Sequence, residues 1–273
     1  MYFTAMYSKG LLRGKLEVIV LVLCVNSVLC FFYYSTSMCI FFLIATVLLC
    51  GFSTTTTHTP SHLNHSAFVT IDGKTTYFYT VKFVQTGDTV RRVTSYFDHA
   101  KYLLRQETSL YCPQSLVLFA NTIEDYRTGE FLRQTSIGKC HIVQRRERKG
   151  EDFEQKSVNA ENGVVAALVA ERIILGMDAL ERGEIVTFIL ALPLHDIVAE
   201  MSTIKTQNVE IGNIPCAVIK FYPSNIFFRA IMGEPSFFYI ERAKPHRLIQ
   251  YQGILGLPSI EGKQQRGIAI MKY

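Results

Sequence analysis

The sequence predicts a mainly β protein: an antiparallel curved sheet or part-closed barrel with one long amphipathic helix, preceded by an N-terminal membrane segment. Three observations lead to this prediction. Apolar and polar residues alternate with a period of two, between turn signals, over most of the chain after Phe68. The segment Asn162–Glu184 departs from this pattern and shows a helical spacing. Leu16–Cys50 is a 35-residue apolar stretch whose only acidic or basic side chain is Glu17.

The apolar stretch Leu16–Cys50 predicts a membrane anchor or an export signal. A transmembrane helix needs roughly 20 apolar residues, so the stretch is long for one span and short for two. Lys9, Arg13 and Lys15 precede it, and this positive charge predicts that residues 1–15 stay in the cytoplasm. One crossing then places the rest of the chain in the periplasm or the extracellular space.

Alternatives to a single retained span stay open. A polar segment at 33–37 separates apolar blocks at 18–32 and 38–52, which fits a hairpin that returns the chain to the cytoplasm. The residues around Cys50 also resemble a bacterial lipoprotein cleavage site, although Leu49 stands where a small residue is expected. The segment is therefore retained, cleaved or lipidated at Cys50, and the sequence does not choose among these outcomes.

Composition predicts the boundaries of the remaining chain. Residues 51–66 are rich in threonine and contain no acid or lysine, which predicts a linker. Residues 67–273 are predicted to form a β-rich extracytoplasmic domain, long enough for one hydrophobic core. The formal net charge is +5, with no separate basic tail, and this mild excess does not indicate a nucleic-acid partner.

Turn residues divide the domain into short strands. Asp72-Gly73 and Thr86–Asp88 lie between β-branched and aromatic runs and predict hairpins, and Lys149-Gly150 predicts a further reversal. Gly256–Gln264 resembles a phosphate-binding loop, but it has one residue too many between its glycines and ends in Gln where Ser or Thr binds magnesium. We therefore interpret this segment as a hairpin before the last strand.

The segment Asn162–Glu184 predicts one long amphipathic helix. Its apolar residues at 164, 165, 168, 169, 173, 177 and 180 recur with helical spacing. Asn162 is a suitable N-cap, and Gly183 follows the charged end of the segment. We expect this helix to pack across one side of the sheet.

Histidines and cysteines of the domain do not form a recognisable catalytic or metal-binding motif. Cys112, Cys140 and Cys216 allow at most one internal disulfide and lack zinc-site spacing. Cys140 and His141 are adjacent, and adjacent residues of a strand point to opposite faces, so they cannot form a dyad. A hydrolase or transferase that uses spatially gathered Cys and His, such as His195 with Cys216, is the alternative to a non-enzymatic role. We predict no enzyme, no metal and no cofactor.

The last third of the chain combines three short motifs: Leu followed by Gly-Glu at the entry to a strand, a strand with Gly followed by Pro, and an Arg-Leu-Ile-x-Tyr-x-Gly strand. They are Leu180 with Gly183-Glu184, Gly212 with Pro215, and Arg247-Leu248-Ile249 with Tyr251 and Gly253. This layout over Glu161–Tyr273 resembles that of exported bacterial proteins of the domain-of-unknown-function family 3108 and its relatives.

The resemblance implies a strongly curved antiparallel sheet, similar to lipoprotein-carrier proteins that hold acyl chains against an apolar concave face. It implies no known reaction and no catalytic residue. Aromatic residues near the C-terminus are the candidates for lining such a face, with ordinary core packing as the alternative role. They are Tyr222, Phe227, Phe228, Phe237, Phe238 and Tyr239.

Together these observations predict a membrane-tethered extracytoplasmic protein that serves as an envelope accessory or binds lipid or another hydrophobic ligand. Its expected partners are membrane lipid or a hydrophobic ligand, with another envelope protein as a further partner and no nucleic acid. A structural protein-interaction module is a second alternative beside the enzyme. The number of membrane crossings, the ligand and the oligomeric state do not follow from the sequence.

Overall fold

The computed structural model describes residues 63–137, 141–148 and 150–273. The predicted membrane segment at 16–50, the N-terminal residues 1–15, most of the predicted linker and Cys140 lie outside the described residues. Within the described ranges, no helix is long and apolar enough to cross a membrane. The first strand begins at His65, so the last two residues of the predicted 51–66 linker belong to the folded domain.

The domain is built on one 15-stranded sheet. Its strands are β1 His65–Ile71, β2 Lys74–Thr86, β3 Thr89–Phe97, β4 Leu103–Tyr111, β5 Leu118–Asp125, β6 Glu130–Ile137, β7 His141–Glu147, β8 Glu154–Asn159, β9 Val164–Val165, β10 Val186–Leu192, β11 Ile197–Ile211, β12 Ile214–Pro223, β13 Ser236–Glu241, β14 Leu248–Ile254 and β15 Arg266–Lys272. Their spatial order is β8-β7-β6-β5-β4-β3-β2-β1-β15-β14-β13-β12-β11-β10-β9. Neighbours are antiparallel throughout, except for the short parallel pair β9–β10.

The hairpins predicted at Asp72-Gly73 and Thr86–Asp88 are confirmed, and Lys149 of the third predicted reversal lies outside the described residues. Asp72 and Gly73 connect β1 to β2 with φ values of 50° and 74°, the backbone that a two-residue type I′ turn needs and that Asp-Gly supplies at low cost. Thr86 pairs with Thr89 around the β2–β3 turn, where Gly87 has φ 56°. Gly256–Gln264 lies in the connection from β14 to β15, as the hairpin interpretation predicts.

The sheet curves until its two halves face each other. Buried side chains of β2 to β5 share one hydrophobic cluster with those of β10 to β13, although these strands are far apart in the strand order. At the sheet's first edge, Lys156 of β8 donates to the Leu194 carbonyl at 3.3 Å and contacts Asp196 Oδ2 at 2.8 Å, in the connection between β10 and β11. Strand twist and register shifts, such as that between Lys205 and Gln207, accommodate this curvature. The predicted curved sheet is therefore confirmed.

The predicted long helix over Asn162–Glu184 is wrong in length. The segment forms strand β9, a 3₁₀ turn at Ala166–Leu168, the seven-residue helix α1 (Val169–Leu175) and the five-residue helix α2 (Met177–Glu181). Two causes are visible. The β-branched pair at 164 and 165 joins the sheet beside β10. Gly176 separates α1 from α2, and an added Cβ there would lie 3.2 Å from Val186 Cγ1.

The apolar spacing in this segment nevertheless identified the buried residues. Leu168, Ile173, Met177 and Leu180 are fully buried. The helices therefore pack against one face of the sheet, as predicted, through two short elements in place of one long one. A third helix, α3 (Ile226–Met232), lies between β12 and β13 and is capped by the Asn225 side chain, which accepts from the Phe227 amide at 2.8 Å.

The antiparallel order places the connections of the sheet at two ends. The β1–β2, β3–β4, β5–β6, β7–β8, β10–β11, β12–β13 and β14–β15 connections share one end, which we call the mouth end. Helix α2 lies near the other end, where Glu181 pairs with Arg242 at 3.0 Å and Asp178 with Lys244 at 3.2 Å in the β13–β14 connection. Helix α2 therefore lies at the end of the sheet opposite the mouth end.

Candidate functional site

A large cavity lies on the concave face of the sheet. Its volume is about 1320 Å³, above the roughly 300–1,000 Å³ of sites for drug-sized ligands. Helix α1 contributes Ala170, Glu171 and Ile174 to its lining, and several connections of the mouth end contribute as well. The cavity therefore lies on the concave side of the sheet, is bounded by α1, and is lined by connections at both ends, including Pro113 of the β4–β5 connection and Pro245 of the β13–β14 connection.

The strands from the second half of the sheet form an apolar wall of the cavity. The side chains that they contribute include Leu190, Leu192, Met201, Phe221 and Phe238. The rings of Phe221 and Phe238 meet edge to face with centroids 6.0 Å apart, and Phe188 stacks on Phe221 at 5.9 Å. This wall offers hydrocarbon contacts and no charge.

The strands from the first half form a polar wall around a hydrogen-bonded row, which we call the polar row (Ser109, Asn121, Gln134, Gln144). These residues are direct cross-strand partners on β4, β5, β6 and β7. Ser109 Oγ donates to Asn121 Oδ1 at 2.9 Å, Asn121 Nδ2 to Gln134 Oε1 at 3.1 Å, and Gln134 Nε2 to Gln144 Oε1 at 2.9 Å. All four side chains are buried, so each link replaces a hydrogen bond to water.

Charged residues continue the polar row at both ends. Arg92 is the cross-strand partner of Ser109 and pairs with Glu171 of α1, Nη1 to Oε1, at 2.5 Å. Lys156 is the cross-strand partner of Gln144 and pairs with Asp196. The row thus connects the wall to helix α1 on one side and to the β10–β11 connection on the other.

Buried tyrosines add uncharged polar groups to the same space. Burial and the nearby Glu107 carboxylate raise the pKa of Tyr96 to about 12. Burial also raises the pKa values of Tyr77, Tyr79 and Tyr111 above their usual range. These phenols stay neutral at physiological pH and can donate hydrogen bonds without adding charge.

The mouth end carries exposed apolar side chains in several of its connections. Phe227 of α3 is 77% exposed, and Ile260 of the β14–β15 connection is 70% exposed. Tyr102, Tyr126 and Phe153 are exposed in the β3–β4, β5–β6 and β7–β8 connections. The mouth end therefore presents exposed apolar side chains to its surroundings.

The six aromatic candidates from the sequence do not share one face. Tyr222 and Phe238 line the cavity. Phe237 and Tyr239 flank Phe238 on β13, and alternation along a strand directs them to the opposite face. The other two lie on α3, where Phe227 is exposed and Phe228 is half-buried.

Sequence reasoning missed the polar wall. The alternation of polar residues along β4 to β7 is visible in the sequence, but the pairing of Ser109 with Asn121 depends on the register and on the loop between their strands. The one available signal was the presence of amides, Asn121, Gln134 and Gln144, at strand positions on the same face as apolar neighbours such as Leu132.

The Cys and His candidates are not brought together in the described part of the chain. Cys216 is buried near the start of β12, where its thiol contacts the Ile214 carbonyl at 3.3 Å, and His195 lies in a 3₁₀ turn at the mouth end. These residues lie at opposite ends of the sheet, so they form no dyad. Cys112 and Cys216 are both free thiols. Across residues 63–137, 141–148 and 150–273, no group of three or more His, Cys, Asp or Glu side chains is arranged to hold a metal ion.

His65 is a half-buried titratable group at the end opposite the mouth end. Its Nδ1 lies 2.8 Å from the Leu63 carbonyl, and its ring centroid lies 5.0 Å from that of Tyr273 and 6.3 Å from that of Tyr79. Burial lowers the pKa of His65, against the raising effect of the Leu63 contact, and the charge of Arg92 lowers it further.

Asn121→Ala should lower the free energy of unfolding by about 1–3 kcal/mol, because it leaves buried groups of Ser109 and Gln134 without partners. Urea unfolding followed by far-UV circular dichroism measures the change. Arg133→Ala, an exposed position on β6 beside Gln134, is the control and should change stability by less than about 0.5 kcal/mol. Equal effects of the two substitutions would show that the row does not stabilise the wall.

Acidification should destabilise the protein through His65. The unfolded histidine titrates near pH 6.5, and its folded pKa is lower, so below about pH 6.5 the unfolded state binds more protons. Stability is therefore retained above this pH and lost as pH falls, by up to about 1.4 kcal/mol per pH unit. Between about pH 7.5 and pH 5.5, the free energy of unfolding should fall more in the parent protein than in His65→Gln. An identical fall in both proteins would exclude His65 as the source.

Comparisons with known proteins identify structural neighbours and no family. None of the protein-family models matches the chain, so the resemblance to family 3108 stays a prediction. No curated protein matches it either. Among solved structures, the chain is similar to a β-barrel-like protein of the domain of unknown function DUF1849 from Brucella abortus, at 10% identity and a TM-score of 0.37 over 77% of this chain and 96% of that one. A DUF1329 family protein from Desulfovibrio piger matches at 9% identity and a TM-score of 0.25 over 77% of this chain and 82% of that one.

Proposed function

We propose that the domain binds a hydrophobic or amphipathic ligand, in the size range of a lipid, and performs no chemistry on it. The observation that carries the proposal is the cavity of about 1320 Å³ on the concave face. Its walls differ in chemistry, since Met201 and Phe238 belong to the apolar wall and Asn121 and Gln134 to the polar row. A molecule with a hydrocarbon part and a polar part matches such a space.

The surroundings of the cavity support exchange of the ligand with a membrane. Side chains such as Tyr102, Phe153 and Phe227 are exposed at the mouth end, where they can contact a lipid surface. The predicted anchor or export signal at 16–50 supports a membrane-tethered, extracytoplasmic location for the domain. Location and tethering are parts of the proposal that rest on the sequence.

Ligand binding is tested by filling the cavity. Ala170→Phe places an aromatic ring on the cavity side of α1 and should reduce occupancy about ten-fold, which corresponds to about 1.4 kcal/mol of binding free energy. The full chain in phosphatidylcholine vesicles is irradiated with a diazirine-bearing long-chain alcohol. Mass spectrometry then measures the labelled fraction and the labelled residues.

Ala230→Phe, at an exposed position of α3 outside the cavity lining, is the matched control and should leave labelling unchanged. Labels are expected on partly exposed cavity-lining residues such as Ile174 and Phe221. Labelling confined to the outer surface of the sheet, or equal in Ala170→Phe and the parent protein, would refute ligand binding in the cavity.

An apolar strip on the outer face favours a second function, the binding of another envelope protein. Direct cross-strand pairing lines up Ile270, Phe68, Phe78, Phe97 and Leu103 on β15, β1, β2, β3 and β4, and we call these residues the outer strip. Phe78 stacks on Phe97 with ring centroids 5.2 Å apart. Phe68 and Ile270 are each 43% exposed. A continuous apolar strip on a sheet surface is suited to a protein contact.

A photocrosslinking amino acid tests the outer strip. Benzoylphenylalanine at position 68 should give one adduct of discrete mass when the full chain is irradiated in its native membrane. The same group at position 124, exposed on the same face of β5, should give none. Absence of an adduct from position 68, or identical products from both positions, would contradict a contact through the strip.

A further inference from the structure

The cationic side chains on and beside the polar wall are paired with carboxylates, with one exception within the described residues. The pairs are Arg92 with Glu171, Arg127 with Asp125, Arg146 with Glu154, Arg148 with Glu130 and Lys156 with Asp196. Arg105 of β4 is the exception. It lines the cavity, and no carboxylate of the described chain lies within salt-bridge distance of it.

The cross-strand neighbour of Arg105 is already occupied. Asp125 is the direct partner of Arg105 in the β4–β5 register. Its Oδ1 accepts from the Arg127 backbone amide at 3.1 Å and from Arg127 Nε at 3.0 Å, and its Oδ2 accepts from Arg127 Nη2 at 2.5 Å. Arg127 also donates to the Pro258 carbonyl at 3.0 Å, which holds it in this position. Asp125 therefore pairs directly with Arg127, and it interacts with Arg105 only through space, without a salt bridge.

The surroundings of Arg105 are partly buried, and the acidic side chains beside it are engaged elsewhere: Asp125 pairs with Arg127, and Glu107 lies 4.0 Å from Arg92. Its Nε is buried without a hydrogen-bond partner. Its other cross-strand partner is Tyr96, whose phenol is neutral. A guanidinium cannot lose its proton at physiological pH, and a partly buried charge without a counterion is unfavourable. An anion that enters the cavity removes this cost.

We propose that the ligand of the cavity is an amphiphile with a singly charged anionic head, a carboxylate or a phosphodiester, which pairs with Arg105. The hydrocarbon part lies against the apolar wall around Phe238 and Met201. A single charge is favoured because Glu107, two residues further along the same face of β4, opposes a second negative charge. This inference rests on the proposed ligand binding and adds the chemical class of the ligand.

The experiment compares three diazirine-bearing probes of equal chain length in phosphatidylcholine vesicles that contain the full chain. They carry a carboxylate, a neutral alcohol or a phosphodiester head. The parent protein should be labelled more by at least one anion than by the alcohol. Arg105→Gln should lower anion labelling about ten-fold to a hundred-fold, the range for a hydrogen bond to a charged group. Alcohol labelling should not change.

Arg133→Gln, which removes an exposed cation from the outer face of β6, is the matched control and should leave the labelling by every probe unchanged. Arg105→Lys keeps the charge and should retain part of the preference for the anion, even if Arg105→Gln disturbs folding. The anionic probe whose labelling falls in Arg105→Gln identifies the head as a carboxylate or a phosphodiester.

The two proposals fail in different ways. Strong cavity labelling that is equal for anions and alcohol overturns the anionic head and leaves ligand binding intact. An anion preference that persists in Arg105→Gln with unchanged alcohol labelling also overturns the role of Arg105. Absence of cavity labelling by all three probes refutes ligand binding itself.

Discussion

The buried polar row is the constraint on which the cavity depends. Asn121 and Gln134 are each used as donor and acceptor, so the loss of one amide leaves groups on two neighbouring strands unpaired. The row holds β4 to β7 in a fixed register, because a shift by one residue would turn these amides to the outer face. Through Arg92 and Glu171 the same row fixes α1, so one chain of hydrogen bonds determines both the polar wall and the inner boundary of the cavity.

The two halves of the sheet place different kinds of side chain on the concave face. β10 to β13 use large apolar side chains, such as Phe221 and Phe238, which pack on each other. β4 to β7 place hydrogen-bonded amides on the same concave face. The first half also contributes apolar side chains, such as Val81 and Phe83, to the hydrophobic cluster that it shares with the second half. Where Asn121, Gln134 and Gln144 lie on the concave face, the satisfied amides have no comparable reason to attract the opposite wall.

The sequence specified local features better than it specified the site. The Asp72-Gly73 hairpin followed from turn chemistry, and the helical spacing identified buried residues such as Leu168 and Met177. The length of that helix did not follow, because pairing of β9 with β10 and the packing of Gly176 on Val186 are tertiary effects. The polar wall was not predicted for the same reason, because it depends on partners such as Gln134 and Gln144 that only the strand register brings together.

At the mouth end, the β14–β15 connection folds back over the concave face and contributes to the lining of the cavity. Leu255 and Leu257 of this connection are buried in a second hydrophobic cluster with Tyr77 and Tyr96. A Cβ at Gly256 would lie 2.5 Å from the Tyr96 hydroxyl, so only glycine permits so close an approach without displacing that ring. The Pro258 carbonyl accepts a hydrogen bond from Arg127, and Arg127 also forms the salt bridge with Asp125. The side chain that contacts this connection is therefore also the one that takes the cross-strand carboxylate of Arg105, so the position of the connection and the unpaired charge of the wall are linked through Arg127.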